Sequence, residues 1–352
     1  PWPMYRKDQK LSGRVKNIPS KLKRGWTFQA SAPFRAGVVL SANELFCVDG
    51  KGKLYCLSRS DGKKLWELNL GSRVTAEPLL LSKTSDSKLF VATNSGRYFC
   101  VNAISGKVRW QKDFEDKISG GSSFYQKEDV TCLLLPCHDG FLYSLSAADG
   151  SIIWKVDAKE PINATPAVAK EQIIFGCCDG KLRFVSIDGK ATRRVDLGSY
   201  LPSSPAVEGD VVYTATHSGH IHAVGIESGE KLWSFSHSDV EDFFGPPVIS
   251  QKYVAAVDKR GNLFIVEKES GKLARIITLP GDMASEPLVD KESIVLGDKD
   301  GQLASYSLAT AKKAWQISVG SSILAPLTLG DDELYVADKD GLLTQYIGDK
   351  SE

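Results

Sequence analysis

Short runs of alternating hydrophobic and polar residues fill most of the chain, as in the segment from His220 to Val224. Alternation over four to eight residues predicts a β-strand with one face turned towards a core. The 3.6-residue period of an amphipathic helix is absent from every long stretch. The pattern therefore predicts an all-β protein made of many short strands.

Glycines that recur 39 to 44 residues apart separate these runs. The first glycine of each repeat is Gly52, Gly96, Gly140, Gly180, Gly219, Gly261, Gly301 or Gly341. Glycine takes a positive φ at little cost, as a tight hairpin requires, so each of them marks a turn between strands. A second glycine ends the strand that follows, at Gly62, Gly106, Gly150, Gly189, Gly229 and Gly271, with Ala311 in its place once.

A tryptophan stands four residues after that second turn in five repeats, at Trp66, Trp110, Trp154, Trp233 and Trp315. Arg193 and Arg275 take this position in two others. A flat indole ring can dock between neighbouring repeats and bury a large apolar area. Each repeat begins with a proline or a serine, namely Pro33, Pro78, Ser123, Pro166, Pro205, Pro247, Pro287 or Pro326.

Each repeat is long enough for four short antiparallel strands, which is the size of one propeller blade. The eight repeats predict an eight-bladed β-propeller of four-stranded antiparallel blades. The last repeat has only three strands, whereas the segment Gly25 to Gln29 supplies a strand near the start of the chain. Pairing the two closes the ring and removes an open sheet edge. The chain would then consist of an N-terminal extension (1–25) and the propeller (26–352).

The motif Asp-Gly-x-Leu-Tyr-x-Leu-x-x-x-(Asp/Ser)-Gly-x-x-x-Trp resembles the PQQ-like, or quinoprotein-type, β-propeller repeat. The opening Trp2-Pro3-Met4-Tyr5-Arg6 is similar to the lead-in of many exported bacterial members. This family includes the non-enzymatic BamB-like propellers and the PQQ-dependent dehydrogenases. The resemblance implies an extracytoplasmic location, periplasmic or secreted. Because the sequence begins with a proline, we expect that an upstream segment was removed.

The dehydrogenases of this family embed the ring in a longer chain, whose insertions build the cofactor site and its calcium ligands. Here only 11 to 14 residues join the tryptophan position of one blade to the start of the next, which leaves no room for such insertions. The adjacent Cys177 and Cys178 resemble a vicinal disulfide that lies against the quinone in methanol dehydrogenases. They fall where a strand meets its hairpin, so we expect ordinary strand residues, no cofactor and no enzyme activity.

Charge and composition exclude further classes. The 352 residues carry 44 basic and 43 acidic side chains, whereas binding through nucleic-acid phosphates would favour a basic excess. No apolar run reaches the roughly 18 residues of a membrane span. The histidines His217, His220 and His222 fall in one hairpin, but no Cys or carboxylate stands there at ligand spacing. We expect no nucleic-acid partner, no membrane span and no metal.

Partner binding is expected at one mouth of the ring, where rigid blades hold the loops. If the first strand of each blade is innermost, the connections between blades and the turns between second and third strands share this mouth. The longest connection contains Phe243 and Phe244, which either face a partner or pack inside the blade. The candidate partner-binding residues are Arg73, Lys117, Tyr200, His217, Asp242, Phe243, Phe244 and Lys259, with Met283 and Lys299 at the same mouth.

The expected function is that of a non-enzymatic scaffold, a monomeric ring that binds a protein partner. A surface of mixed charge with interleaved aromatic residues suits a protein better than a polyanion. A small-molecule or glycan-binding sensor is the alternative, and a PQQ-dependent dehydrogenase is a third and weaker one.

Overall fold

The computed structural model describes residues 1–82, 86–279, 282 and 285–349, which form strands, turns and loops and contain no helix. In chain order the strands are β1 Leu22–Gln29, β2 Val39–Leu40, β3 Glu44–Val48, β4 Lys53–Ser58, β5 Lys64–Asn69, β6 Leu79–Leu81, β7 Lys88–Ala92, β8 Arg97–Asn102, β9 Val108–Asp113, β10 Ser123–Lys127, β11 Val130–Pro136, β12 Phe141–Ser146, β13 Ile152–Asp157, β14 Ala167–Ala169, β15 Gln172–Gly176 and β16 Lys181–Ser186. They continue with β17 Ala191–Asp196, β18 Ala206–Glu208, β19 Val211–Ala215, β20 Ile221–Gly225, β21 Lys231–Phe235, β22 Val248–Ile249, β23 Tyr253–Val257, β24 Asn262–Glu267, β25 Leu273–Thr278, β26 Leu288–Val289, β27 Ser293–Gly297, β28 Gln302–Ser307, β29 Lys313–Ser318, β30 Thr328–Leu329, β31 Glu333–Ala337 and β32 Leu342–Gly348.

These strands form eight antiparallel four-stranded sheets, which we number as blades 1 to 8 from β2–β5 onwards. The first strands of neighbouring blades contact one another, which places them around the axis. Blade 8 consists of β30, β31, β32 and β1, and β1 pairs with β32 from Leu22–Gly348 to Gln29–Leu342. The eight-bladed propeller and its closure by the N-terminal strand are thereby confirmed.

The middle two strands of each blade form the core. In β4, for example, Leu54, Tyr55, Cys56 and Leu57 are all buried, because both faces of the blade pack against neighbours. All seven cysteines are free thiols, and six of them are buried, four of these on middle strands. They therefore act as small apolar side chains, as the sequence predicted.

Tryptophans on the outer strands join each blade to the next. Trp66 of blade 1 lies on Gly106 of blade 2, and its Nε1 donates to the carbonyl oxygen of Ala103 at 3.1 Å. A Cβ at Gly106 would come within 2.8 Å of the indole, and its φ of +70° also favours glycine. The same contact with the next blade's glycine is made by Trp26, Trp110, Trp154 and Trp233.

Two repeats lack this tryptophan, and their arginines behave differently. Arg193 lies on Gly229 and donates from Nη1 to the carbonyl oxygen of Ile226 at 2.6 Å, so it imitates the tryptophan. Arg275 is exposed, and the corresponding residue of the next blade is Ala311. A Cβ is tolerated at Ala311 because no indole covers that turn.

The N-terminal segment 1–18 runs around the inside of the channel. Trp2 pairs with Leu40 of blade 1, and the carbonyl oxygen of Pro3 accepts the N–H of Leu80 in blade 2. The carbonyl oxygens of Gln9, Lys10, Ser12 and Gly13 then accept N–H groups of the inner strands of blades 4, 5, 6 and 7, from Val168, Val207, Ile249 and Val289.

This segment is part of the core. Trp2, Met4, Tyr5, Leu11 and Val15 are buried, and Leu11 is fully inaccessible. The segment fills the channel near the A–B turns, which join the first and second strands, and leaves the opposite mouth open. The predicted boundary at residue 25 is corrected in two ways: β1 begins at Leu22, and residues 1–18 pack inside the ring.

The predicted starts of three blades also need correction. In blade 3, Ser122 and not Ser123 stands where Pro78 stands in blade 2, because Ser123 pairs with Leu134 as Leu79 pairs with Phe90. Pro33 lies in the loop before blade 1, and Val38 stands where Pro78 stands in blade 2. In blade 8 the matching position is Leu327, one residue after Pro326. The assignments in blades 1 and 8 follow from the hydrogen bonds that anchor the loops, Gly50 N–H to the Pro33 carbonyl and Lys339 N–H to the Ser322 carbonyl.

Replacing Trp66 with alanine is expected to lower the free energy of unfolding by about 3 kcal/mol, since the interblade contact is lost. Arg275→Ala should change it by less than about 0.5 kcal/mol, because this side chain is exposed. Urea unfolding of both variants, followed by far-UV circular dichroism and not by tryptophan fluorescence, measures the two changes in free energy. Equal losses would contradict the docking interpretation.

The channel segment gives a second prediction. Leu11→Ala should cost about 2–5 kcal/mol of unfolding free energy, as expected for a fully buried leucine. The matched control is Leu65→Ala on the exposed outer strand, where the leucine is 55% accessible and a change below about 0.5 kcal/mol is expected. If the two variants unfold alike, the N-terminal segment does not pack in the channel in solution.

Candidate functional site at the open mouth

A regular set of hydrogen bonds builds the open mouth. The turn between the second and third strands of a blade donates a backbone N–H to the connection that enters the same blade. The donor and acceptor pairs are Gly50–Pro33, Asn94–Arg73, His138–Lys117, His217–Tyr200, Lys259–Asp242, Lys299–Asp282 and Lys339–Ser322. The connections between blades and these turns therefore share one mouth, as predicted. We call the residues of these pairs the rim.

Seven of the candidate residues occupy equivalent rim positions. Four of them lie on the connections between blades, namely Arg73, Lys117, Tyr200 and Asp242. The other three lie on the facing turns, namely His217, Lys259 and Lys299. Met283 lies outside the described residues.

Phe243 and Phe244 have different environments. Phe243 is fully buried and packs edge-to-face on Phe264 at 6.0 Å, so it belongs to the core of blades 5 and 6. Its assignment to the partner-binding surface is corrected for this reason. Phe244 is 49% exposed, and its ring contacts that of His217 at 5.1 Å.

A continuous arc of polar and aromatic side chains follows the mouth from blade 3 to blade 6. His138 contacts the Ser119 hydroxyl at 2.6 Å, and Asn163 Nδ2 donates to the Tyr200 hydroxyl at 3.3 Å. Ser119 and Asn163 lie 3.5 Å apart, which joins these two pairs. The Tyr200 ring then contacts His217 at 6.0 Å, and His217 contacts Phe244. We call these six residues the rim arc.

The sequence pointed to Tyr200, His217 and Phe244 but missed the other three members of the arc. Ser119, Asn163 and Phe244 each stand three residues before the position at which the inner strand's proline or serine lies. A comparison of loop positions relative to that residue would have found them.

Inside the rim the channel forms a cup of about 360 Å³, closed below by Tyr5 of the N-terminal segment. Two rings of equivalent residues line it. The upper ring, three residues before the proline position, comprises Arg35, Thr75, Ser119, Asn163, Pro202, Phe244 and Leu324 among the described residues. The floor ring, one residue before that position, comprises Gly37, Glu77, Gly121, Thr165, Ser204, Pro246, Glu286 and Pro326, of which all but Gly37 line the cup.

Two floor-ring positions carry carboxyl groups. Glu77 accepts the N–H of Gly37 at 3.1 Å, and Glu286 accepts the hydroxyl of Tyr5 at 2.6 Å. Burial, together with the nearby Glu286 carboxylate, raises the pKa of Glu77 to about 7. Burial also raises the pKa of Glu286, against the opposing charge of Arg6. Neither glutamate forms an ion pair with a described residue.

The histidine hairpin offers no metal site. Burial lowers the pKa of His222 to about 4, and its Nδ1 contacts the Ser234 hydroxyl at 2.8 Å. His220 stacks on His222 at 5.7 Å, while His217 turns away to the rim arc. No group of three or more His, Cys, Asp or Glu side chains in the described ranges is arranged around a common point for a metal ion.

Cys177 and Cys178 are separate thiols. Cys177 is buried beside Arg183 and Asp179, whereas Cys178 is partly exposed near Asn163. Burial raises the pKa of Cys177 to about 12, which makes this thiol a poor nucleophile at neutral pH. Both cysteines follow β15, which ends at Gly176, so they lie in the turn after the strand, and the expectation of strand residues is corrected.

The eight four-stranded blades around the cup form a β-propeller, and a match to a family model places it in the PQQ-like class. The family described as "Outer membrane protein assembly factor BamB" matches residues 13–84, 79–219, 137–316 and 217–349, which overlap along most of the sequence. The chain belongs to this family.

Solved structures agree on the fold. BamB from Moraxella catarrhalis is 14% identical, with a TM-score of 0.77 over 93% of this chain and 100% of that chain. The quinohemoprotein alcohol dehydrogenase from Comamonas testosteroni is 11% identical, with a TM-score of 0.80 over 100% of this chain and 81% of that chain. The computationally designed Ika8 protein is 15% identical, with a TM-score of 0.76 over 91% of this chain and 97% of that chain. No curated protein matches the sequence. No helix suited to crossing a membrane occurs in the described ranges.

The cup does not fit a PQQ group. PQQ is a quinone with three carboxylic acid groups, so its site must supply positive charge. The cup instead presents Glu77 and Glu286 on its floor, and Arg35 at the exposed upper ring is the only cation among its described lining residues. Carboxylates facing a polyanion in a partly buried cavity would repel it.

The different burial of the two phenylalanines gives a direct test. Phe243→Ala is expected to lower the free energy of unfolding by about 3–5 kcal/mol, because a core ring is removed. Phe244→Ala should change it by less than about 0.5 kcal/mol. Thermal and urea unfolding of the two single variants measure the difference, and a large loss for Phe244→Ala would place that ring in the core as well.

Proposed function

We propose that this protein is a non-enzymatic scaffold of the cell envelope, which binds a protein partner with its rim arc. The observation that supports the proposal is the exposed Phe244 ring, which contacts His217, whose ring in turn contacts Tyr200. Exposed aromatic residues amid polar groups are typical of the centres of protein interfaces. Membership in a family described as an outer membrane protein assembly factor makes an envelope assembly component the expected partner, and an extracytoplasmic location the expected one.

The chemistry of the cup supports a binding role over quinone catalysis. Its floor is acidic where a tricarboxylate cofactor would need positive charge, and the N-terminal segment occupies the opposite end of the channel. The loops of the mouth are short and anchored by backbone hydrogen bonds, so they present a nearly fixed surface. A preformed surface lowers the entropy cost of association.

A photoreactive phenylalanine analogue at position 244, introduced in the native cells, tests the proposal. It should give a discrete crosslinked product. The same analogue at position 104, where Ile104 is 65% exposed on a turn between third and fourth strands, is the control and should not. Equal products at both positions, or none at position 244, would contradict a partner at the rim arc.

Once crosslinking identifies the partner, its affinity for purified variants can be compared. Phe244→Ala together with Tyr200→Ala should weaken binding at least tenfold, since interface aromatics contribute about 2 kcal/mol or more each. Leu65→Ala, on the outer strand of blade 1, is expected to leave the affinity unchanged. An unchanged affinity in the rim variant would overturn the assignment.

A further inference from the structure

Exposed cations gather on one side of the open mouth. Arg35 and Lys51 belong to blade 1, Arg73 lies on the connection that enters blade 2, and Lys339 lies in a turn of blade 8. All four side chains are exposed, and none forms an ion pair with a described residue. Blades 8, 1 and 2 are neighbours in the closed ring. We call these four residues the basic sector.

A comparison of equivalent rim pairs shows which counterion is missing. In blade 7, Lys299 Nζ lies 2.8 Å from the Oδ2 of Asp282, on the connection that enters the same blade. The equivalent pair of blade 8 is Lys339 and Ser322. Serine carries no charge, so Lys339 lacks the carboxylate that its counterpart has. The same holds in blade 2, where the neutral Asn94 faces the arginine of the basic sector.

The carboxyl groups closest in sequence to the basic sector are mostly withdrawn from the surface. Asp49 is fully buried and accepts the hydroxyl groups of Ser31 at 2.7 Å and Tyr55 at 3.0 Å. Asp338 is also buried, and its Oδ1 accepts two backbone N–H groups of its own turn. In the described turns and connections of blades 8, 1 and 2 at the mouth, exposed carboxylates are limited to Asp340. Four exposed cations thus stand against one exposed carboxylate.

The opposite side of the mouth is not basic. Arg260 pairs with Glu241, His217 Nδ1 lies 3.7 Å from Asp242 Oδ2, and Asp239 is exposed on the same connection. A long polyanion that crossed the mouth would meet these carboxylates and be repelled. The distribution of charge therefore favours a short anionic segment confined to blades 8, 1 and 2.

The basic sector adjoins the rim arc. Its Arg73 belongs to the rim pair of blade 2, and His138, the first residue of the rim arc, belongs to the rim pair of blade 3. A protein interface of ordinary size buries about 800 Å² on each side, so a partner seated on the rim arc reaches the neighbouring blades. One partner can therefore contact both surfaces.

We propose that the basic sector binds an acidic segment of a polypeptide partner, whose aspartate or glutamate side chains lie against Arg35, Arg73 and Lys339. The guanidinium fork of arginine matches a carboxylate group with two parallel hydrogen bonds. This inference rests on the proposed function, because it adds the charge of the partner to the aromatic contact at the rim arc. The partner combines an apolar contact for Phe244 with a carboxylate-rich segment beside it.

Neutralising three cations tests the inference on the partner that crosslinking at position 244 identifies. Charges at the edge of an interface act chiefly on association, so Arg35→Gln, Arg73→Gln and Lys339→Gln together should lower the association rate constant about tenfold at low salt and change the dissociation rate constant less than about twofold. Surface plasmon resonance measures both constants. The matched control removes the same charge from turns on the opposite face and should change neither constant more than about twofold. Its substitutions are Lys107→Gln, Lys272→Gln and Lys312→Gln.

Salt provides a second measurement on the same samples. Between about 0.01 M and about 0.1 M NaCl the Debye length falls from about 30 Å to about 10 Å. The association rate constant of the unmodified protein should fall over this range towards that of the triple rim variant. A rate constant that does not depend on salt would contradict an electrostatic contact.

A peptide tests the basic sector without the partner. A fluorescein-labelled peptide with four consecutive glutamates should bind, by fluorescence anisotropy at about 0.01 M NaCl, about fivefold or more tightly than its match with four glutamines. The triple rim variant should lose this difference, and the triple control variant should keep it. Vesicles of anionic phospholipid and a double-stranded DNA oligonucleotide are the competing probes.

The outcomes separate this inference from the proposed function. An unchanged association rate constant in the triple rim variant overturns the inference, while a crosslink at position 244 leaves the proposed function standing. Without that crosslink the proposed function fails, and the peptide titration still decides the basic sector. Equal binding of the glutamate and glutamine peptides overturns the inference. Tighter binding of the vesicles or the DNA than of the glutamate peptide, lost in the triple rim variant, overturns it as well.

Discussion

Backbone hydrogen bonds between the N-terminal segment and the inner strands hold the centre of the ring together. Each inner strand is the edge of its sheet, and its outward N–H groups face the channel without a neighbouring strand. Buried backbone groups without partners are costly, and open edges invite unwanted pairing. Pro3, Gln9, Lys10, Ser12 and Gly13 supply carbonyl oxygens to five different blades. One segment thus satisfies groups that would otherwise need separate partners.

The curved path of that segment requires unusual backbone conformations. Arg6, Lys7, Leu11 and Gly13 all have positive φ, between +52° and +78°. Such conformations cost roughly 1 kcal/mol or more for residues with a side chain, and they persist where the surroundings fix them. Here the fixing comes from the hydrogen bonds on both sides and from the buried side chain of Leu11. The same segment brings Tyr5 to the floor of the cup, so the shape of the site depends on the contacts that fill the channel.

The regular parts of the molecule could be predicted from the sequence because every blade repeats the same local pattern of strands and glycine turns. The eight hairpin glycines all have positive φ, as does Ala311 in place of the second-turn glycine. Closure through β1 was predictable because the last repeat lacked one strand. The path of residues 1–18 was not, since it depends on hydrogen bonds to inner strands far away in sequence. The proline spacing likewise predicts Pro33 as the start of blade 1, whereas the strand pairing places Val38 there.

The site was only partly predictable, and the reason differs between its two parts. Rim residues follow the repeat, so Tyr200 and His217 could be placed at one mouth from their spacing alone. The burial of Phe243 and the exposure of Phe244 follow from the packing of Phe243 on Phe264, which no local pattern encodes.

The floor ring is where the repeat is most informative about function. Blade geometry needs no particular side chain there, since glycine, threonine, serine and proline all occupy equivalent positions. A carboxyl group at Glu77 instead has its pKa raised to about 7, so the folded state holds a proton that the unfolded state releases above pH 4.5. Stability from this group is therefore present below pH 4.5 and is lost as the pH rises through 7. Glu77 opposes folding at the pH where the cup is charged. The stability of the fold therefore does not account for the presence of a glutamate at this position.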